Sequence, residues 1–186
     1  MIKSYIKIIK PVIMNRGIRN NNPLNIRYAR LNDWMGKIVH NSDGEFEQFT
    51  MMKWGYRAAI VLIGRYIEKG YNTIATIVHR WAPPKDGNNT TKYVEDVCHM
   101  TGIAGHKPIE AGSEDHQAIV KAMALIESGT DIKEYDRDFD QAWQYYKDET
   151  TGKLEREYDS WKRSLNDEGK TVKKALSKWS KLPWEH

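Results

Sequence analysis

Apolar residues recur at helical spacing through most of the chain, and turn-forming clusters interrupt them at regular points. GYRAAIVLIGRYIEKG, residues 55–70, is apolar nearly all round between Ala58 and Ile63. A helix with no polar face has to be buried, so this segment predicts a central core helix ending at Gly70. In NTIATIVHRWAPP, residues 72–84, Ile74, Ile77, Val78 and Trp81 share one helical face before two prolines stop the helix. Asn89 or Thr90 caps the next helix, whose stripe is Tyr93, Val94, Val97 and Cys98 and whose end is Gly102. Ser113 is the N-cap of another helix, with Glu114 and Asp115 in its first turn, running to Glu127 before Gly129. WMGKIVHNSDGEFEQFT, residues 34–50, alternates weakly about Ser42-Asp43-Gly44, which predicts one small β-hairpin. RGIRNNNPLNIR, residues 16–27, is too polar and turn-prone for a core element. From residue 131 the chain becomes charge-rich with spaced aromatics Trp143, Tyr146, Trp161 and Trp179, the pattern of two or three amphipathic helices. The fold class expected is α+β, mainly α: a domain over residues 14–130, a helical C-terminal extension over 131–186, and an N-terminal extension over 1–13.

Composition narrows the function classes. The chain has 186 residues, enough for one domain with an appendage. Its 29 basic and 25 acidic side chains leave a net charge of +4, far from the charge density of a dedicated nucleic-acid binder. A nucleic-acid role for the Lys- and Trp-bearing tail is therefore a weak alternative. There are 7 Trp and 10 Tyr against 3 Phe, a set suited to stacking on flat or sugar-like surfaces and equally to filling cores. A single Cys excludes an internal disulfide framework. No apolar run approaches the roughly 20 residues that span a bilayer. MIKSYIKIIKPVIM is basic and apolar, but lysines interrupt it and no small-residue cleavage site follows. It does not read as a signal peptide, and Met14 can serve as a start.

Few residues carry chemistry. In DHQAIVKAMALIESG the stripe is Ile119, Val120, Met123 and Ile126, and Glu127 follows on the same face in the last turn. Apolar surroundings and the negative helix end both disfavour a charged carboxylate, as a general acid for glycosidic cleavage requires. The alternative is a glutamate whose tip reaches solvent past the helix. Asp43, Glu45 and Glu47 offer a second carboxylate group, with Glu45 and Glu47 on one face of the expected hairpin. The alternative there is a solvated face. The six histidines form no HExxH or other compact ligand pair, and glycine-rich cofactor fingerprints are absent, so neither a metal nor a cofactor is expected. Cys98 falls on an apolar stripe and reads as a buried, inert thiol. Trp34, Trp81 and Tyr93 sit beside loops, and with Asn22, Asn25, Asn88 and Asn89 they suit a polar and aromatic groove for carbohydrate. Turn closure by asparagine and core plugging by tryptophan explain the same residues structurally.

Several motifs occur together: RGIRNNNPLNIR, W-x-G at Trp34 to Gly36, D-x-x-F-x-x-F at Asp43 to Phe49, G-x-R-A at Gly55 to Ala58, and TI-x-x-I-V-x-R-WAPP-x-D-x-N-x-T-x-x-Y from Thr73 to Tyr93. Through them, residues 14–130 resemble phage and prophage virion proteins of the structural protein P5 type, a group related to lysozyme-like, lytic-transglycosylase-like cell-wall hydrolases. The resemblance implies a lysozyme-like domain that cleaves the glycan strand of peptidoglycan, with Glu127 as the acid. Glu127-Ser128-Gly129 is similar to the catalytic glutamate motif of lytic transglycosylases. In those enzymes the glutamate helix precedes an N-N-x-x-N-I segment, whereas here it follows one. The order is permuted, or a hairpin carboxylate is the acid, or the domain only binds peptidoglycan. Cleavage of peptide bonds in peptidoglycan is a further alternative. Phage structural proteins are the partners implied for the C-terminal extension. The location implied is a virion, or a bacterial cytoplasm with delivery to the wall by a route other than a signal peptide.

Overall fold

The computed structural model describes residues 15–152, and within them the chain is mainly helical with almost no strand. The helices are α1 (Arg16–Arg19), α2 (Met52–Glu68), α3 (Ile74–Trp81), α4 (Thr90–Thr101), α5 (Glu114–Ser128) and α6 (Asp136–Thr150). Two 3₁₀ segments, Pro84–Asp86 and Thr130–Tyr135, precede α4 and α6. The expected N-terminal extension, Trp161 and Trp179 lie outside the described residues.

Helix α2 occupies the centre because its middle, Ala58 to Ile63, is apolar nearly all round, while Arg65 and Glu68 near its end are exposed. Trp54, Tyr56, Ala58, Ala59, Ile60, Ile63 and Ile67 are all buried. On one side it meets α6, whose Phe139, Ala142, Trp143 and Tyr146 recur at helical spacing and are buried. Tyr56 and Phe139 meet edge to face at 5.2 Å, and Trp54 and Tyr145 lie 5.3 Å apart. On the other side α2 meets α3 and α5, and α4 packs across those two. Caps fall where the side chains dictate. Asn89 accepts from Lys92 N–H, Ser113 accepts from His116 N–H, and Thr73 forms a reciprocal capping box with Thr76.

The segment expected to form a hairpin makes isolated antiparallel bridges, Lys37 with Phe49 and Arg27 with Phe46. Side chains have taken the donors that a ladder would use. Asn41 Oδ1 accepts from the Asp43 and Gly44 N–H groups, and Asp43 Oδ1 accepts from those of Glu45 and Phe46. Asp43 is itself gripped by Arg16, Arg19 and Asn20. The Arg16 guanidinium holds its carboxyl well below the usual carboxylate range, against the cost of desolvation.

Gly55 explains the G-x-R-A motif. A Cβ at this point of α2 would collide with the Asn21 carbonyl oxygen, so only glycine lets the asparagine loop lie directly on the central helix. Gly55→Ala is expected to destabilise the protein by about 2–3 kcal/mol in urea unfolding, although alanine is the better helix former by about 1 kcal/mol.

His116 is fully buried between Trp143 and Tyr146. Its Nδ1 accepts from Gly112 N–H at 3.1 Å, while Nε2 has no hydrogen-bond partner. Burial pushes the imidazole down to about 4, with the nearby Ile60 carbonyl opposing part of that effect. An unfolded histidine takes its proton near 6.5, so between those values the unfolded chain binds more protons and stability falls as pH falls. Relative to pH 7.5, about 3 kcal/mol is expected to be lost by pH 4. His116→Asn is expected to lower stability at pH 7.5 but to flatten that pH window, as measured by urea unfolding at several pH values.

Candidate functional site

Helix α5 carries Ile119, Val120 and Met123 into the core, and one turn later its register brings Glu127 to the same face, half-buried. Ser128 follows, buried, and its Oγ donates to the Pro23 carbonyl at 2.7 Å. Gly17 leaves the room that this hydroxyl needs, since a Cβ there would run into it. The end of α5 is thereby tied to the asparagine loop.

That loop is rigid for reasons visible in its side chains. Asn22 is fully buried; its Nδ2 donates to the Ile26 and Glu47 carbonyls and its Oδ1 accepts from Ile26 N–H. Asn21 Nδ2 donates to the Phe49 carbonyl, and Asn20 joins Asp43. Asn25 stands in left-handed backbone at φ 50°, which asparagine tolerates better than most residues. Its Nδ2 donates to Glu127 Oε2 at 3.2 Å, and its Oδ1 is buried without a partner.

The opposite wall comes from α3 and α4. Trp81, the last residue of α3, donates its indole N–H to Glu127 Oε1 at 3.2 Å. Tyr93 on α4 donates its hydroxyl to the same oxygen at 3.0 Å. The link between these helices is fixed by Thr90, buried, whose Oγ1 donates to the Ala82 carbonyl at 2.6 Å. Asn88 adds a bond to the Pro83 carbonyl. Burial, then the nearby charge of Glu127, raise the Tyr93 phenol far above its ordinary range, so it serves only as a donor. Glu127 is thus held by three neutral donors from three elements, two on Oε1 and one on Oε2. Among the described residues no cation lies within ion-pair distance of it.

Of the residues singled out in the sequence, Glu127, Asn25, Trp81 and Tyr93 come together. The others are engaged elsewhere. Asn22 staples the loop, and Asn89 caps α4. Trp34 is buried, with the Arg65 guanidinium 5.5 Å from its ring. Asp43 is the anchor for Arg16. Glu45 and Glu47 do not share an environment as strand alternation predicts, because the turn built on Asp43 breaks the alternation. Glu45 is exposed and pairs with Arg16 at 2.8 Å. Glu47 is fully buried, accepting from Lys37 Nζ and Ala29 N–H, each at 3.1 Å. Cys98 is a half-buried free thiol. Among the described residues no three His, Cys, Asp or Glu side chains gather into a metal site. A separate depression of about 220 Å³ lies between α2 and α6, lined by Arg65, Glu68, Tyr146 and Glu149, and shares no residue with the Glu127 group. The sequence pointed to Ser128 only through the E-S-G tripeptide and offered Thr90 as a cap, a part that Asn89 takes; the roles of both hydroxyls depend on which distant carbonyl each meets.

No known family profile matches the chain. Over 124 residues it is 35% identical to Protein P5 of Pseudoalteromonas phage PM2, a stretch covering 65% of this chain and 76% of that protein.

Ser128→Ala leaves the Pro23 carbonyl buried without its donor. It is expected to cost about 1–3 kcal/mol in urea unfolding and to weaken hydrogen-exchange protection across residues 20–26.

Proposed function

The chain belongs to the family of the phage PM2 Protein P5, and on that premise we propose that it cleaves the glycan strand of peptidoglycan by general acid catalysis from Glu127. The observation that carries the proposal is the grip on Glu127 by Asn25, Trp81 and Tyr93. It orients one carboxyl group between an amide-bearing loop and an aromatic wall, as acid catalysis on an amide-decorated sugar polymer needs.

Oε1 already accepts twice, so the catalytic proton belongs on Oε2, which accepts once. Glu127 gives that proton to the glycosidic oxygen as the bond to the sugar's anomeric carbon breaks, its electron pair leaving with the oxygen. In the lytic-transglycosylase version the resulting carboxylate takes the proton of the sugar's own 6-hydroxyl, whose oxygen closes on the anomeric carbon. No water is consumed and Glu127 regains its proton. This version fits the site better than the muramidase one. A hydrolase calls for Glu45 or Glu47 as a second carboxylate, and these are committed to Arg16 and Lys37.

A phage-derived role suits a virion-associated enzyme, with phage structural proteins as partners for residues 131–186. Among the described residues no helix is long and apolar enough to cross a membrane.

Glu127→Gln keeps the shape and removes the proton. Release of soluble fragments from purified sacculi is expected to fall by about 10²–10⁴-fold, with mass spectrometry of wild-type products showing anhydro sugar ends. Reducing ends would favour the muramidase version. New peptide ends would favour peptidase action, and binding without release a purely adhesive module. Wild-type release by Glu127→Gln would remove Glu127 from the chemistry.

A further inference from the structure

In the depression between α2 and α6, polar groups stand uncommitted. Its walls include Val61, Gly64, Arg65 and Glu68 from α2 and Tyr146 and Glu149 from α6. Tyr146 is 5% exposed, yet its hydroxyl makes no hydrogen bond among the described residues. Buried hydroxyls nearly always find a partner, so an idle one lining a hollow needs a reason. Gly64 keeps the space beside it open, since a Cβ there would stand 2.9 Å from the Tyr146 oxygen. Burial, then the charge of Glu68, raise the phenol above its ordinary range, so it stays protonated and able to donate. The charges are uncommitted as well. Arg65 and Glu68 lie three residues apart on α2, a spacing at which opposite charges pair readily. Here neither makes an ion pair among the described residues. The Arg65 guanidinium lies 5.5 Å from the Trp34 ring, and Glu149 is taken by Arg57.

We propose that this depression binds a small zwitterion, an ammonium and a carboxylate carried on one carbon as in the head of an amino acid. Glu68 takes the ammonium, Arg65 takes the carboxylate, and the Tyr146 hydroxyl donates to a carboxylate oxygen. Val61 offers apolar surface to whatever side chain the head carries. At about 220 Å³ the hollow is smaller than the roughly 300–1,000 Å³ of pockets for drug-sized ligands, which suits a ligand of this size. The site shares no residue with the Glu127 group, so it stands or falls apart from the glycan reading.

The test is a titration of the isotope-labelled full chain, followed by its amide NMR signals. Alanine is expected to move the amides of residues 61–68 and 146–150, half-saturating on the order of 1–10 mM. Ethylamine and propanoate, each carrying one of the two charges, are expected to bind about fivefold more weakly or worse. Tyr146→Phe removes only the idle hydroxyl and is expected to weaken alanine about two- to tenfold. Glu68→Gln is expected to weaken alanine and ethylamine about two- to fivefold and to leave propanoate unchanged. Arg65→Gln is expected to weaken alanine and propanoate by the same factor and to leave ethylamine unchanged. Nε-acetyl-lysine binding as well as alanine assigns the site to an amino-acid head on a peptide branch, and its exclusion assigns a free amino acid. Signals that stay still up to about 50 mM alanine would overturn the site. So would equal alanine affinity in the wild type and all three variants, or propanoate binding as tightly as alanine.

Discussion

One hydroxyl holds the candidate site together. Ser128 Oγ bonds the Pro23 carbonyl out of contact with water, joining positions 105 residues apart. Next to it Glu127 meets Asn25, and the Ser128 tie adds a buried anchor to the contact between that loop and α5. A buried bond of this kind contributes modestly when made but is expensive to leave unmade, because the carbonyl cannot recover a water partner. The neighbouring parts are arranged around it. Gly17 makes room for the hydroxyl, Gly55 lets the loop settle on α2, and Asn22 keeps the loop's backbone satisfied.

The protein treats its carboxylates in two ways. Asp43, Glu47 and Glu149 stabilise the fold and each is matched with a cation: Arg16 and Arg19, Lys37, and Arg57. Glu127 is held by an amide, an indole and a phenol, all neutral. A cation would neutralise the group in place and fix its role as structural. Neutral donors orient it without supplying a countercharge, so its setting differs from that of the three paired carboxylates.

Helices α3, α4 and α5 were legible in the sequence, because apolar spacing agreed with the prolines after Ala82, with Asn89 and Ser113 as caps and with Gly102 as a stop, whereas the Thr73 cap of α3 was not read. The loops were harder. Asn22 and Asn25 are the same residue type three places apart, yet one is a backbone staple and the other faces the candidate site. Backbone conformation separates them, and residue type alone does not encode it. Trp34 stands beside a loop as Trp81 does, but tertiary packing buries one and aims the other's N–H at a carboxylate. Alternation placed Glu45 and Glu47 together, and the side-chain-built turn at Asp43 overrode it. Helix α6 was visible as an amphipathic pattern; its docking on α2 depended on rings such as Phe139 finding Tyr56, which only three-dimensional packing decides.

The separation in sequence between the asparagine loop and α5 also sets a schedule during synthesis. The chain emerges amino end first, at roughly 5–20 residues per second, so residues 20–25 wait about 5–20 s for Ser128 to be made. Until then the loop can rest on α2 but has no glutamate to hold. Contacts this remote along the chain are slow to close and form late. A chain cut short before residue 128 therefore lacks the hydroxyl that ties the asparagine loop to α5.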